Sequence, residues 1–178
     1  MSNRAAALLP ISLLLLLLSG GCGYRFAGDT AKALPPSIRT IAVPAFENDT
    51  LQFKIEQHLT AAVVHELLTR TRYRVQGGPE GSDATLSGVV TALYSSPVAF
   101  DPGSGRTTEV LLNVSLRVKL VSNTTGETLY EANDWVFREP YEISQDPATY
   151  FGENQPALER LSRQVATSLV SALLEGIP

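Results

Sequence analysis

The chain has 178 residues, a formal net charge of −4 at pH 7 and a single cysteine. This charge balance excludes a general attraction to nucleic acid or to anionic membranes. A lone cysteine excludes an internal disulfide, so a hydrophobic core must stabilise the fold, and the length suits one compact domain.

The first 21 residues have the pattern of an export signal. Arg4 precedes an apolar run from Ala5 to Leu18, and small residues follow it. Pro10 and the serines keep this run below the roughly 20 apolar residues that a membrane span needs. We therefore predict that residues 1–21 are a lipoprotein signal peptide that is removed, which takes away one arginine and changes the net charge from −4 to −5.

The single cysteine follows this leader directly. Small residues precede Cys22, as they do at the cleavage site of bacterial lipoproteins, where the thiol receives a diacylglyceryl group and the new amino terminus a further chain such as palmitate. Two or more acyl chains anchor a protein durably. We predict lipidation of Cys22 and sorting to the periplasmic side of the outer membrane, since Gly23 replaces the aspartate that signals inner-membrane retention. The alternative is an ordinary signal peptide followed by a free thiol.

Residues 22–37 are predicted to form a lipidated tether, and residues 38–178 a single α+β domain. The tether contains Gly, Ala and Pro without any period. Ile38–Phe46 alternates as a strand does, and Pro44, which has no amide to donate, indicates a strand end or a sheet edge. Asn48, Asp49 and Thr50 then offer N-caps for a helix, since these residue types are preferred at that position.

Two amphipathic helices are predicted from apolar residues at spacings of three and four. The first covers Leu51–Thr69, and its apolar residues are Leu51, Ile55, Leu59, Ala62, Val63 and Leu67. The second begins at a capping Asn154, with Pro156 in its first turn. Its apolar residues are Leu158, Leu161, Val165, Leu169 and Ala172.

Three strands are predicted between the helices. Ala84–Phe100 is broken by Pro97, and the DPGSGR turn leads to Glu109–Val121, which has the clearest alternation in the chain. SNTTGE leads to the third strand, Thr128–Arg138. The order β-α-β-β-β-α predicts a two-layer α+β sandwich with both helices on one face of a four-stranded mixed sheet.

The sequence lacks a pattern typical of catalysis, metal binding or cofactor binding. His58 and His65 lie about two turns apart on the first helix, but no further ligand stands at the close spacing of a zinc motif. Nucleophilic catalysis needs a serine or cysteine served by a base, and Cys22 is used by the lipid. We predict no enzymatic activity, no metal and no cofactor.

Three basic residues are candidates for binding an anion. Arg117 and Lys119 stand two apart on the polar side of the central strand, and Arg106 lies in the turn before it. The alternative is that they are solubilising charges on an open sheet face. Three aromatic residues fit either the core or a partner contact: Trp135, Phe137 and Tyr141. We predict core positions for the first two.

With these elements in place, the sequence resembles the lipopolysaccharide-assembly lipoprotein family LptE. The resemblance rests on CGYRFAG at Cys22–Gly28, LPPSIRTIAVPAFENDT at Leu34–Thr50, LLTRTRYRV at the end of the first helix, and ALERLSRQVATSLVSALLE in the last helix. It implies an outer-membrane lipoprotein that plugs the β-barrel LptD, helps it to assemble and contacts lipopolysaccharide in transit. On this resemblance, candidates for binding lipid A phosphates are Arg106, Arg117 and Lys119.

A second class of protein shares the same general features. Auxiliary lipoproteins of transporters, and lipoproteins that oligomerise into secretion pores, also combine an anchored cysteine with a small α+β domain. Co-purification separates the two classes. A monomer held in one barrel favours the LptE role, whereas a homo-oligomeric ring or an inner-membrane transporter complex favours the alternative.

Overall fold

The computed structural model describes residues 34–51, 54–143 and 154–175, so the predicted signal peptide, Cys22 and most of the predicted tether lie outside the described residues. The described residues form six strands and two helices. They are β1 (Thr40–Ala42), β2 (Glu47–Asn48), α1 (Ile55–Arg70), β3 (Arg74–Gln76), β4 (Ala84–Phe100), β5 (Thr107–Ser122), β6 (Thr128–Glu142) and α2 (Asn154–Glu175).

The α+β class and the mixed sheet are confirmed, but the prediction of four strands is wrong, because the sheet has six. The predicted strand Ile38–Phe46 ends after Ala42, shortly before Pro44, and the chain pairs again only at β2. The other additional strand, β3, follows α1. β2 and β3 are 2 and 3 residues long, which is too short for alternation to reveal a strand.

The strands lie in the order β3-β1-β4-β5-β6, and β2 also pairs with β4. β1 is parallel to β3 and to β4, and β2 is parallel to β4. β4, β5 and β6 form an antiparallel meander. Because β1 lies between two other strands, Pro44 marks the end of a strand and not the edge of the sheet.

One hydrophobic core lies between the helices and the sheet. The buried residues of α1 are Ile55, Leu59, Val63 and Leu67. The predicted apolar residues of α2 are all buried, and so is every second residue of β5 from Val110 to Leu120. Phe137 is buried in this core, which confirms its predicted position. Trp135 is half-buried and packs against the core, with its ring centroid 5.0 Å from that of Phe137.

The first helix begins four residues later than predicted. Lys54 has φ 67°, a left-handed conformation that interrupts the helix, and it precedes Ile55 without a capping side chain. Leu51 therefore lies outside the helix and is fully exposed. The Asn48 carboxamide oxygen accepts a hydrogen bond from the amide of Thr50 at 2.9 Å, so this side chain closes a local turn and does not cap α1.

The meander has two parts, and irregularities in strand pairing mark the boundary between them. Register shifts occur between Val90 and Ala92 in the β4–β5 pair and between Leu116 and Val118 in the β5–β6 pair. We call the part of the meander on the side of Ala84 the proximal part: Ala84–Val90, Leu116–Ser122 and Thr128–Trp135. The remainder is the distal part: Ala92–Phe100, Thr107–Ser115 and Val136–Glu142.

Candidate functional site

The two predicted anion-binding residues of β5 lie on the open side of the sheet, away from the helices. Alternation buries the other side of β5 and leaves Arg117 exposed and Lys119 half-buried. Lys119 is in register with Glu131, and its Nζ lies 3.8 Å from Glu131 Oε2. The Arg117 guanidinium makes no hydrogen bond or ion pair within the described ranges. Arg117 is therefore the residue of this pair whose charge is available to a ligand.

Arg106 lies at the opposite end of the strand from this pair. It precedes β5, and a strand rises about 3.3 Å per residue, so its Cα lies about 35 Å from that of Arg117. A single phosphate group cannot contact both residues. The structure thus brings Arg117 and Lys119 together and separates Arg106 from them.

The turn that carries Arg106 is held by the side chain of Asp101. This carboxylate accepts hydrogen bonds from the amides of Ser104 at 2.6 Å and of Gly103 at 3.1 Å. Bonds from the hydroxyl and the amide of Ser104 are the main cause of a lowered pKa of the Asp101 carboxyl. Gly105 has φ 67°, which a side chain would disfavour. The turn therefore has a defined shape and presents Arg106 to solvent.

The distal part carries a group of exposed large apolar side chains, which we call the distal apolar surface. Its members and their exposed fractions are Tyr94 (57%), Val98 (49%), Phe100 (57%) and Val136 (39%). The register places Tyr94 opposite Asn113 and Val136 opposite Ser115 on neighbouring strands. Tyr94 and Val136 thus lie on β4 and β6, with β5 between them. Several large apolar side chains exposed on one part of a sheet are typical of a surface that binds a protein or a lipid.

The register of β4 turns Tyr94 to the open face of the sheet, because the preceding Leu93 lies opposite the buried Val114. The outer edge of this half of β4 is also open. β1 and β2 pair with β4 only from Ala84 to Val90, and beyond Val90 no described strand covers its outer edge. Pro97 and two further register shifts interrupt that edge, and such features disfavour unwanted strand pairing. The distal part of β4 is thus an exposed edge that is protected from aggregation yet offers aromatic side chains for contact.

The distal apolar surface does not follow from the sequence pattern, which predicts Ala84–Phe100 as one strand with a break at Pro97. A signal was present, because Ala92, Leu93 and Tyr94 are consecutive, whereas a half-buried strand alternates apolar and polar residues. The loss of alternation indicates that apolar side chains lie on both faces of the strand at this point, so that some of them are exposed.

A groove of about 400 Å³ lies at the end of the distal part. Its lining residues are Glu109, Pro140, Tyr141, Glu142 and Arg160. The register places Glu109 directly opposite Glu142, and the guanidinium of Arg160 donates a hydrogen bond to the Glu139 carboxylate. Because acidic groups outnumber the one arginine, this groove is unsuited to phosphate.

Both histidines lie on α1. His58 Nε2 lies 3.4 Å from Gln155 Nε2, and His65 is exposed on α1. Among the described residues, no group of three or more His, Cys, Asp or Glu side chains is placed to hold a metal ion. Neither described helix is long and apolar enough to cross a membrane.

The family model for LptE, described as lipopolysaccharide-assembly, matches residues 38–173. The chain belongs to the LptE family. This match confirms the resemblance seen in the sequence and gives the protein a role in lipopolysaccharide assembly, in association with the lipopolysaccharide-transport machinery. The family indicates an outer-membrane lipoprotein. A comparison with curated proteins finds no match.

Solved structures share the fold at low sequence identity. Rare lipoprotein B from Shewanella oneidensis is similar with a TM-score of 0.53 and 12% identity, over 76% of this chain and 93% of that chain. A lipoprotein B from Nitrosomonas europaea is similar with a TM-score of 0.51 and 14% identity, over 87% of this chain and 97% of that chain. At these identities the likeness concerns the fold alone.

Proposed function

We propose that this LptE-family member is a non-enzymatic lipoprotein of the outer membrane that plugs the barrel of LptD. In this role it helps LptD to assemble and takes part in the delivery of lipopolysaccharide to the outer leaflet. The observation that carries the proposal is the family match over residues 38–173, which includes every strand and almost all of α2. The exposed distal apolar surface supports a role that depends on binding another molecule.

The proposal begins with the anchor at Cys22. Residues 1–21 direct export and are removed, and acylation then attaches the domain to the periplasmic side of the outer membrane. A Cys22→Ser variant is expected to carry no acyl chain and to appear in the soluble periplasmic extract. Intact mass and fractionation measure this. Lipidation of Cys22 would be refuted if this variant remained firmly in outer-membrane fractions and matched the mass of the wild-type protein apart from the substitution itself.

The distal apolar surface is the part of the domain that we assign to the contact with LptD. Tyr94 and Phe100 are each 57% exposed, so a partner that covers them removes a large aromatic area from water. Complete burial of such a ring contributes about 2–3 kcal/mol, and aromatic side chains often dominate binding at interfaces. The outer edge of β4 beyond Val90 lies beside both rings and allows close approach of a partner.

Co-purification with LptD from native outer membranes tests this contact. We expect that Tyr94→Ser combined with Phe100→Ser reduces the amount of LptD recovered. Leu68→Ser is the matched control, because Leu68 is 56% exposed on α1, away from the distal part. Equal recovery from both variants would refute the assigned surface. Recovery of the wild-type protein as a ring of its own copies, or with an inner-membrane transporter, would refute the LptD role.

The proposed contact with lipopolysaccharide involves Arg106, Arg117 and Lys119. Because Arg106 and Arg117 are far apart, their substitutions to glutamine are tested separately. Lys119→Glu is avoided, since it would place a carboxylate opposite Glu131, and like charges on paired strands destabilise a sheet. A charge-assisted hydrogen bond to phosphate contributes about 1.5–3 kcal/mol, so loss of a true contact weakens binding about tenfold or more.

Binding of purified lipopolysaccharide to each variant is the measurement. Arg163→Gln is the control, because Arg163 is an exposed arginine on α2. We expect Arg106→Gln or Arg117→Gln to weaken binding more than the control does. If both variants bind as the wild-type protein does, these arginines are solvated surface charges.

A further inference from the structure

Three arginines lie close together along the backbone at one corner of the sheet, at the end opposite to the Asp101–Arg106 turn. Arg39 precedes β1, Arg74 begins β3 in register with Thr40, and Arg72 stands two residues before Arg74. The amide of Arg74 donates to the carbonyl of Arg39 at 2.9 Å, which fixes the two backbones side by side. We call Arg39, Arg72 and Arg74 the arginine corner.

The arginine corner lies at the surface. All three side chains are exposed, and none of their guanidinium groups forms a hydrogen bond or an ion pair with the residues that the structure describes. By contrast, Arg70 pairs with Glu66 on the same helix turn. Other exposed arginines, such as Arg117, also lack an ion pair among the described residues, but only the corner brings Arg39 and Arg74 side by side.

One acidic group lies beside the corner. The Asp83 carboxylate accepts hydrogen bonds from the amides of Arg39 and Thr40, each at 2.8 Å. Its pKa is lowered mainly by these two bonds, and the charges of Arg39 and Arg74 lower it further. Asp83 therefore offsets one of three positive charges, and the corner keeps an excess of positive charge.

The corner also lies where the chain enters the fold. Leu34 and Ile38 are buried in the core, and the amide of Ile38 donates to the carbonyl of Pro35 at 2.9 Å. These contacts fix the chain immediately before Arg39. Eleven residues lie between Cys22 and Leu34 in the sequence, and an extended chain spans at most about 43 Å over the twelve steps that join them.

We propose that the arginine corner binds the anionic phospholipid headgroups of the leaflet that holds the lipid anchor. The inference rests on the lipidation of Cys22 proposed above, because the anchor keeps this corner within reach of the bilayer. Guanidinium groups bind phosphate through paired hydrogen bonds. Acidic residues elsewhere on the chain oppose this only weakly, since charges more than about 8–10 Å apart are largely screened at physiological salt.

The test uses the processed chain with Cys22→Ser, so that no acyl chain contributes to binding. Co-sedimentation is measured with vesicles of phosphatidylcholine alone and with vesicles that contain 30 mol% phosphatidylglycerol. One arginine near an anionic surface strengthens binding about fivefold. We therefore expect preferential binding to the anionic vesicles, which weakens about 25-fold when Arg72→Gln and Arg74→Gln are combined and also falls as salt is raised.

The matched control combines Arg138→Gln with Arg163→Gln, which removes the same charge from two exposed arginines on β6 and α2. Retained vesicle binding by the control, with circular dichroism unchanged in both double variants, supports the proposal. Equal binding to both vesicle types, equal weakening in both double variants, or binding to lipopolysaccharide aggregates but not to phosphatidylglycerol would overturn it.

A second measurement separates this inference from the proposed function. In acylated form, the variant with Arg72→Gln and Arg74→Gln is expected to recover LptD as the wild-type protein does, because neither residue lies in the distal part. If the wild-type protein binds anionic vesicles yet recovers no LptD, the plug function is refuted and headgroup binding by the arginine corner is supported. If it recovers LptD yet shows no preference for anionic vesicles, only headgroup binding by the arginine corner is refuted.

Discussion

The proximal and distal parts of the meander are built from the same three strands, yet they differ in what covers them. In the proximal part, β4 has β1 and β2 along its outer edge, and its residues Leu86 and Val90 are fully buried. In the distal part the same strand has no described neighbour on that edge, and Tyr94 and Phe100 are mostly exposed. The exposed rings thus lie on the half of β4 whose outer edge is open, although Leu93 in the same half still packs against the core.

This difference separates stability from binding along one strand. Core residues contribute by staying out of water, whereas the exposed aromatic side chains of the distal part gain free energy only when a partner covers them. Substitutions in the proximal part and in the helices that cover the sheet should therefore change folding, while those in the distal apolar surface should change binding. The four predictions below test this division, beginning with the largest expected effect on the free energy of unfolding.

Leu161→Ala should have the largest effect. Leu161 is fully buried on α2, and removing three carbons from such a site leaves a cavity that costs about 2–5 kcal/mol of unfolding free energy. Urea unfolding followed by circular dichroism measures the change. Leu68→Ala, at a residue 56% exposed on α1, is the control and should change stability by less than about 0.5 kcal/mol. A loss below about 1 kcal/mol for Leu161→Ala would mean that α2 does not pack as described.

Gly88→Ala should have the next largest effect, through overpacking in the proximal part. A Cβ at Gly88 would lie 2.6 Å from the ring of Phe46, which packs directly on this strand. Forcing an additional carbon into such a contact costs about 1–3 kcal/mol. Gly77→Ala is the matched control, because a Cβ there would meet nothing within 4 Å. The same unfolding assay applies, and equal stability of the two variants would contradict the close approach of Phe46 to β4.

Much of this architecture could be predicted from sequence because long periodic segments carry a strong signal. β5 alternates from Leu112 to Leu120, and the spacing of the α2 apolar residues identifies the buried face of that helix. The short strands could not be found, since β3 has only 3 residues. The start of α1 was also missed, because Asn48 and Thr50 form a local turn that leaves Leu51 outside the helix.

The candidate site was predicted less well than the fold, for a physical reason. Alternation placed Arg117 and Lys119 on the open side, but a sequence pattern does not show that Lys119 pairs with Glu131. The exposure of Tyr94 depends on the register of β4 against β5 after the shift at Val90, which is a tertiary property. Surface function thus depends on contacts that no local pattern contains.

Asp83→Asn should lower stability in a way that depends on pH. The amides of Arg39 and Thr40 hold the pKa of the Asp83 carboxyl below its ordinary value of 3.8. The ionised carboxylate therefore stabilises the fold fully above pH 3.8, and this contribution is lost as pH falls through the lower pKa of the folded state. Unfolding at pH 7 and at pH 3 should show a difference between wild type and variant that is larger at pH 7. A difference that is the same at both pH values would contradict the role of the carboxylate charge.

The combined Tyr94→Ser and Phe100→Ser substitutions should have the smallest effect on folding, although they remove more apolar atoms than Leu161→Ala does. Both rings are more exposed than buried, and substitutions at exposed sites usually change stability by less than about 0.5 kcal/mol each. In the same urea assay, this variant should therefore unfold close to wild type. That result makes any loss of LptD recovery a loss of contact and not of structure. A destabilisation as large as that of Leu161→Ala would instead show that the distal aromatic side chains belong to the core, and the division between a folding half and a binding half of β4 would be wrong.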